Sequence, residues 1–313
     1  MAEQLTPDTH VNLTVPPEHA GQRLDHFLRS ALPHVSRMAL RELFSRGQIR
    51  FRGQPRPALK SASVSGGDVV EVSGVVQQTG PAPDTALVLQ VLHEDRWLIA
   101  VDKPGGVPSH ALRAGERGTI VSALLARYPE LRGVGYRELE SGLLHRLDNE
   151  TSGILLAARD QATFEQLQQA HVRGEFTKRY LALVAGQPRL HVARAFLNAE
   201  RRKVAVRLEP FPDAKPIVSE LISSRAYGPC SLVGVQVALA ARHQVRAHLA
   251  QLGHPIAGDH VYGGPVLTGL GRHFLHASEL ELPHPVHGTR LLLRAELPED
   301  LHSVLRSLGP DGE

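Results

Sequence analysis

The sequence predicts an α+β fold: one large domain with a substantial sheet and a smaller N-terminal attachment. Three observations carry this expectation. The chain has 313 residues, too many for one small domain and ample for a sizeable core. Strand-like and helix-like patterns mix along it without a regular repeat. Basic residues crowd the segment between Gly21 and Val72, and a stretch rich in turn formers follows.

In chain order, residues 1–20 read as an N-terminal extension and residues 21–73 as a small α/β unit. In that unit Leu24, Phe27, Leu28 and Leu32 recur at helical spacing. Ser36 can cap a second helix carrying Leu40, Leu43 and Phe44, which Gly47 can end. Ile49 and Phe51 alternate as on a strand, and Gly66-Gly67-Asp68 turns the chain into a second strand, Val69-Val70-Glu71-Val72. Gly74 to Ala86 lacks periodicity and contains Thr79-Gly80-Pro81-Ala82-Pro83, the composition of a linker. The large domain is expected over 87–305, with a tail at 306–313. Trp97-Leu98-Ile99-Ala100-Val101 looks like a buried strand that the following Pro104, Gly105 and Gly106 turn into a loop. Val245, Leu249 and Leu252 form the buried stripe of a helix on which Arg246 lies beside the stripe.

Composition narrows the function classes. The N-terminus lacks a basic region followed by an apolar core, and no apolar run approaches a bilayer's span, so a cytoplasmic location without membrane contact is expected. One cysteine, Cys230, excludes an internal disulfide and a thiolate-rich zinc site. The net charge is +3 and the pI about 9.2, and the positive charge clusters at Arg23, Arg37, Arg41 and Arg46 among others, which points to a polyanion. Arg37 and Arg41, at i and i+4, share a helical face and can meet successive phosphates. A solvated basic face is the plainer reading of the charges alone.

The most informative segment is His145-Arg146-Leu147-Asp148-Asn149-Glu150-Thr151-Ser152-Gly153-Ile154-Leu155-Leu156, which sets a carboxylate on a polar turn beside an arginine and before a buried strand. An isolated Arg-x-Asp turn is ordinarily structural. The whole string, however, resembles the signature of the RluA-type family of RNA pseudouridine synthases. Further matching pieces are Val101-Asp102-Lys103-Pro104-Gly105-Gly106, Phe176-Thr177-Lys178-Arg179-Tyr180, Arg242-His243-Gln244-Val245-Arg246, Gly258-Asp259 with Tyr262-Gly263, and Leu275-His276-Ala277. The N-terminal pattern, from Gln22-Arg23-Leu24-Asp25 through Ser36-Arg37-Met38 to Gly66-Gly67-Asp68-Val69, is similar to the alpha-L RNA-binding domain.

The resemblance implies a mixed or antiparallel-sheet pseudouridine synthase domain behind a small RNA-binding domain, acting as a monomer on RNA, with ribosomal RNA of the large subunit favoured and tRNA the alternative. It makes Asp148 the catalytic carboxylate, attacking the uracil ring or assisting its departure from the sugar. It makes Arg246 the cation that pairs with and aims Asp148, and Tyr180 a third catalytic residue, its ring stacking on the flipped base and its hydroxyl helping to remove the proton from the ring carbon that becomes bonded to ribose. Arg146 would fill the gap in the RNA, and His145, Lys178, His243 and Gln244 would contact substrate. The isomerisation needs no redox step or group donor, so no cofactor or metal is expected. Where the family usually has Gly-Arg-Thr ahead of His243, this chain has Ala240-Ala241-Arg242, leaving open whether Arg242 supplies the missing arginine.

Two rivals are weighed on the residues. A metal site from His243, His248, His254, Asp259 and His260 conflicts with the five-residue spacing of His243 and His248, which separates them on a helix by roughly 140°. A non-catalytic RNA-binding assembly factor would not need Asp148, Tyr180 and Arg246 together.

Overall fold

The computed structural model describes residues 10–32, 37–74, 80–199, 204–207, 209 and 216–309, without the side chains of 37–39 and 198–199. It divides into two compact units, Met1–Thr79 and Gly80–Glu313.

In the first unit β1 (Val11–Thr14), α1 (Leu24–Ala31), α2 (Arg37–Ser45), β2 (Ile49–Phe51) and β3 (Val69–Val72) build a three-stranded antiparallel sheet of order β1-β3-β2. Leu24, Phe27 and Leu28 of α1 and Leu40 and Leu43 of α2 bury against Ile49, Val70 and Val72. Gly47 follows α2 with φ +65°, a left-handed position where a Cβ would also meet Pro57 at 2.9 Å, so the helix ends there. Ser36 and the Arg37 side chain lie outside the described residues. The strand Val11–Thr14 places part of the expected extension inside this unit. Val11 and Leu13, half-buried, alternate with exposed Asn12 and Thr14, a strand pattern four residues long that the reading of 1–20 as an extension passed over.

The second unit opens with a strap. Gly80, Pro81 and Ala82 are buried, and the Ala82 and Asp84 N–H groups donate to Glu116 and Ser122 carbonyls while Gly115 N–H donates to the Gly80 carbonyl. Residues 80–86 therefore belong to the large unit and not to a linker; residues 75–79 of the expected linker lie outside the described residues. The strap is invisible to periodicity because hydrogen bonds to Gly115, Glu116 and Ser122, and not a repeating apolar face, hold it. At the other end the last helix runs through Leu308, into the expected tail.

The strands are β4 (Gln90–Glu94), β5 (Leu98–Lys103), β6 (Ser152–Ala158), β7 (Thr177–Ala185), β8 (Val192–Ala199), β9 (Val204–Arg207), β10 (Ile217–Tyr227), β11 (Cys230–Val237), β12 (Leu275–Pro283) and β13 (Arg290–Arg294). The helices between and after them are α3 (Ile120–Arg127), α4 (Gln161–Val172), α5 (Gln244–Gln251) and α6 (Glu299–Leu308). The strands form one mixed sheet of order β4-β5-β6-β12-β7-β11-β10-β8-β9, with β13 on β12. The β6–β12 pair is parallel and the other pairs are antiparallel. All seven residues of β6 are buried, because the strand is covered on both faces: Leu155 and Ala157 join a core with α3, α5 and α6, and Ile154, Leu156 and Ala158 join another with α4. An uninterrupted apolar run is the pattern of such a strand. No helix among the described residues is long and apolar enough to cross a membrane.

Candidate active site

Asp148 sits on the turn entering β6, and each neighbour is fastened. Ser109 exchanges hydrogen bonds with the Leu147 backbone at 2.8 and 3.1 Å. The Asn149 carbonyl accepts from Lys103 Nζ at 2.8 Å and from Gly106 N–H at 2.9 Å. Arg272 donates to the Glu150 carbonyl at 2.8 Å, and Thr151 N–H closes the turn onto the Asp148 carbonyl at 3.1 Å. Lys103 is fully buried and also donates to the Pro104 and Val107 carbonyls at 2.8 and 2.7 Å, using three donors of an ammonium group. Burial, then the Arg272 charge, pulls its pKa down to about 7. Beyond the turn Gly153, at φ +113°, passes so close to β12 that a Cβ would lie 2.3 Å from the Ala277 carbonyl oxygen. Only glycine permits both the dihedral and the approach.

The carboxylate meets its cation across the sheet. Arg246 Nη1 donates to Asp148 Oδ2 at 2.8 Å, while Nε and Nη2 form a fork onto Asp259 at 2.7 and 2.9 Å. The Asp259 side chain is inaccessible, the Arg246 side chain 7% exposed and that of Asp148 20% exposed, so the chain of charges runs from the interior to the cavity. Burial would push Asp259 up, but the Arg246 hydrogen bonds outweigh it and hold the carboxyl below its ordinary value. Burial likewise opposes the Arg246 charge, and the two carboxylates more than restore it. Tyr262 covers the guanidinium at 5.4 Å from its ring centre.

Asp148 opens on a cavity of about 310 Å³ whose wall includes Tyr180, His145, Arg146, Arg242 and His243. Tyr180 is buried on β7. Burial, then the Asp148 charge, raises its pKa, so the phenol keeps its proton at neutral pH. His243 caps α5 at φ +56°, the one non-glycine residue among those described with positive φ. Such a conformation is costly and is held by its surroundings. Its Nδ1 is 3.2 Å from the Tyr262 hydroxyl and its Nε2 3.7 Å from Asp148. Burial lowers its pKa despite Asp148, so the ring is neutral near pH 7.

The chain matches the family model of RNA pseudouridylate synthase over residues 97–251. It is 38% identical to an uncharacterised RNA pseudouridine synthase of Chloroflexus aurantiacus over 95% of this chain and 93% of that protein. The chain belongs to the RNA pseudouridylate synthase family. Another member, ribosomal large subunit pseudouridine synthase D of Xanthomonas campestris, is 33% identical over 95% of this chain and 92% of its own. The solved structure of human RNA pseudouridylate synthase domain containing 4 aligns with a TM-score of 0.56 and 25% identity, covering 71% of this chain and 94% of that one.

Within the family-matched span the structure brings Asp148, Tyr180, Arg246, Arg146, His145 and His243 to one cavity, with Arg242 exposed at its rim. Two expected substrate contacts are otherwise engaged. Lys178 is buried away from the cavity lining and donates to His171 at 3.1 Å; burial draws its pKa down to about 8. Gln244 reaches the wall, but its amide donates to Val218 O and Ser219 Oγ and its oxygen accepts from Ala241 N–H. In the N-terminal unit Arg23 pairs with Asp25, Arg46 pairs with Glu42, and Arg41 is exposed. Of the residues considered as metal ligands, Asp259 holds Arg246, His248 is bonded to Ser219 and His254 to the Ala185 carbonyl.

Sequence reasoning missed the parts played by Asp259, Lys103, Tyr262 and Arg272. Asp259 was visible in the sequence as part of a matching motif and as a candidate metal ligand, not as the buried partner of Arg246.

Proposed function

We propose that the protein isomerises uridine to pseudouridine in large-subunit ribosomal RNA, with Asp148 as the catalytic carboxylate. The observation that carries this is the Asp148–Arg246 pair at a cavity walled by Tyr180. In the reaction the N1–C1′ bond breaks and a C5–C1′ bond forms, and the proton lost from C5 is balanced by one gained at N1. An ionised carboxylate suits attack on the ring or assistance at the sugar carbon, and a fixed guanidinium keeps it aimed. The Tyr180 ring offers a stacking face, and its protonated hydroxyl suits a hydrogen-bonding or relay role more than that of a standing base. Tyr180→Phe should retain RNA binding with reduced turnover, whereas Tyr180→Ala should lose both. Equal activity in all three proteins would remove Tyr180 from the mechanism. The exposed Arg146 can enter the stack as the uridine leaves it.

The ribosomal target is favoured by the names of the similar proteins, which include ribosomal large subunit pseudouridine synthases of Xanthomonas campestris and Haemophilus influenzae. The test is pseudouridine mapping by carbodiimide labelling and reverse transcription in cells with and without the gene. Loss of one or more large-subunit sites is expected; losses confined to tRNA would reassign the substrate, and an unchanged map would remove the activity.

We further propose that the N-terminal unit is an alpha-L domain contacting phosphates through its basic surface. Removing residues 1–79 should weaken rRNA binding and flatten its salt dependence. If the unit neutralises on the order of four phosphates, raising salt from about 50 to 200 mM should weaken the intact protein roughly a hundredfold more than the truncated one. Identical slopes would contradict the assignment.

A further inference from the structure

A second recess lies beside the Asp148 cavity and plays no part in the chemistry above. Its volume is about 320 Å³ against about 310 Å³ for the cavity, so by the same measure both are of a size to hold a base. Leu144, His145, Arg146 and Gln168 line both, so the partition between them is the segment carrying the catalytic turn. The remaining wall includes Tyr136, Arg137, Glu140, His110 and Phe164.

The chemistry of this wall differs from an ordinary surface. Tyr136 is 72% exposed, the only tryptophan, tyrosine or phenylalanine among the described residues that is mostly exposed. It is not on a slack loop. Gly135 N–H donates to Gln161 at 2.8 Å, Gly142 N–H donates to the Val134 carbonyl at 2.9 Å, and the Tyr136 ring stands edge-on to Phe164 with centres 5.0 Å apart. Arg137 and Arg146 bring two cations, with Glu140 bound to Arg137 at 3.3 Å. His110 Nδ1 and His145 Nε2 are buried and have no protein hydrogen-bond partner. An accessible, anchored aromatic face beside guanidinium groups is the chemistry that holds an unpaired nucleobase and its phosphate.

We propose that this recess takes a second unpaired nucleotide of the same RNA, one flanking the target uridine, with its base stacked on Tyr136. The proposal rests on the reading of the Asp148 cavity as the uridine site. Withdrawal of Arg146 from His110, now 3.3 Å away, into the RNA would widen the passage between the two compartments. A pair of bases held on either side of the catalytic turn would select targets by local unpairing of the RNA and not by the uridine alone.

The test uses a hairpin transcript spanning a uridine that the full-length protein modifies, with each flanking nucleotide replaced in turn by an abasic residue. For the wild type, one replacement should lower kcat/KM on the order of ten- to a hundredfold, the range of a single base–aromatic stack. Tyr136→Ala should lower it similarly on the intact RNA and become indifferent to that replacement, while Tyr136→Phe stays close to wild type. Tyr136 is exposed and its ring contact is with Phe164, so an unchanged thermal melt is expected of both variants. Wild-type indifference to every replacement, or losses that multiply in the combined change, would overturn the proposal. Absence of wild-type turnover on any RNA would instead overturn the uridine-site reading.

Discussion

Asp148→Asn should leave a folded protein that binds RNA and does not turn over. The amide preserves the shape of the side chain and still offers an oxygen to Arg246 Nη1, whose charge remains answered by Asp259. Because Asp148 is the more exposed of the two carboxylates, loss of its charge should cost little stability. Turnover should fall by at least about 10⁴-fold, the scale on which removal of an essential nucleophile acts. Tritium release from C5-labelled RNA reads the chemistry, and filter binding reads affinity. Appreciable tritium release by the variant would end the assignment of Asp148.

Arg246→Ala should have the opposite balance, with activity and stability lost together. It removes the Asp148 partner and leaves Asp259 inaccessible to water with only the Val261 and Tyr262 N–H groups. Breaking a buried pair from one side costs about 3–5 kcal/mol, because the remaining charge stays buried. The pH dependence has a definite sign. In the wild type Asp259 lies below its ordinary value, so it contributes stability above that range and loses it as pH falls through its folded value. In the variant burial acts without the guanidinium and pushes the carboxyl upward, so ionisation opposes folding at neutral pH. The stability gap should therefore be widest near neutrality and narrow in acid, as chemical denaturation across pH would show. Arg246→Lys should recover part of the stability and little activity, since one ammonium cannot reproduce the fork onto Asp259 while reaching Asp148. A stable, active Arg246→Ala protein would contradict the arrangement.

The legible parts of the molecule were those written in local pattern. The two N-terminal helices, the apolar run of β6 and the polar turn before it follow from side-chain spacing and turn chemistry. Arg246 shows where that reading ends. Its position beside an apolar stripe ordinarily means solvent, yet α5 buries Gln244 through Leu249, and the arginine is tolerated there because Asp148 and Asp259 approach from 98 and 13 residues away in the chain. Only the family resemblance singled it out. Lys178 differs in the other direction: its motif placed it at the substrate, and it shares its face of β7 with Tyr180, yet its amine is held by His171 behind the cavity lining. The strap at 80–86 had no periodic signal because backbone hydrogen bonds, the Asp84 carboxylate and the Arg117 guanidinium hold it in place of a repeating apolar face.

The parallel pairing of β6 with β12 has a consequence for how the protein comes into being. His276 lies against Ser152 and Ala277 against Gly153, so the bed of the catalytic turn arrives 124 residues after the turn itself. Contacts of such separation form late, after a large loss of chain freedom. On the ribosome, Asp148 emerges long before either Arg246 or β12 has been made, and a nascent chain stopped ahead of Leu275 has the residues of the motif without a site. Competence thus waits on a strand made long after the turn that it seats.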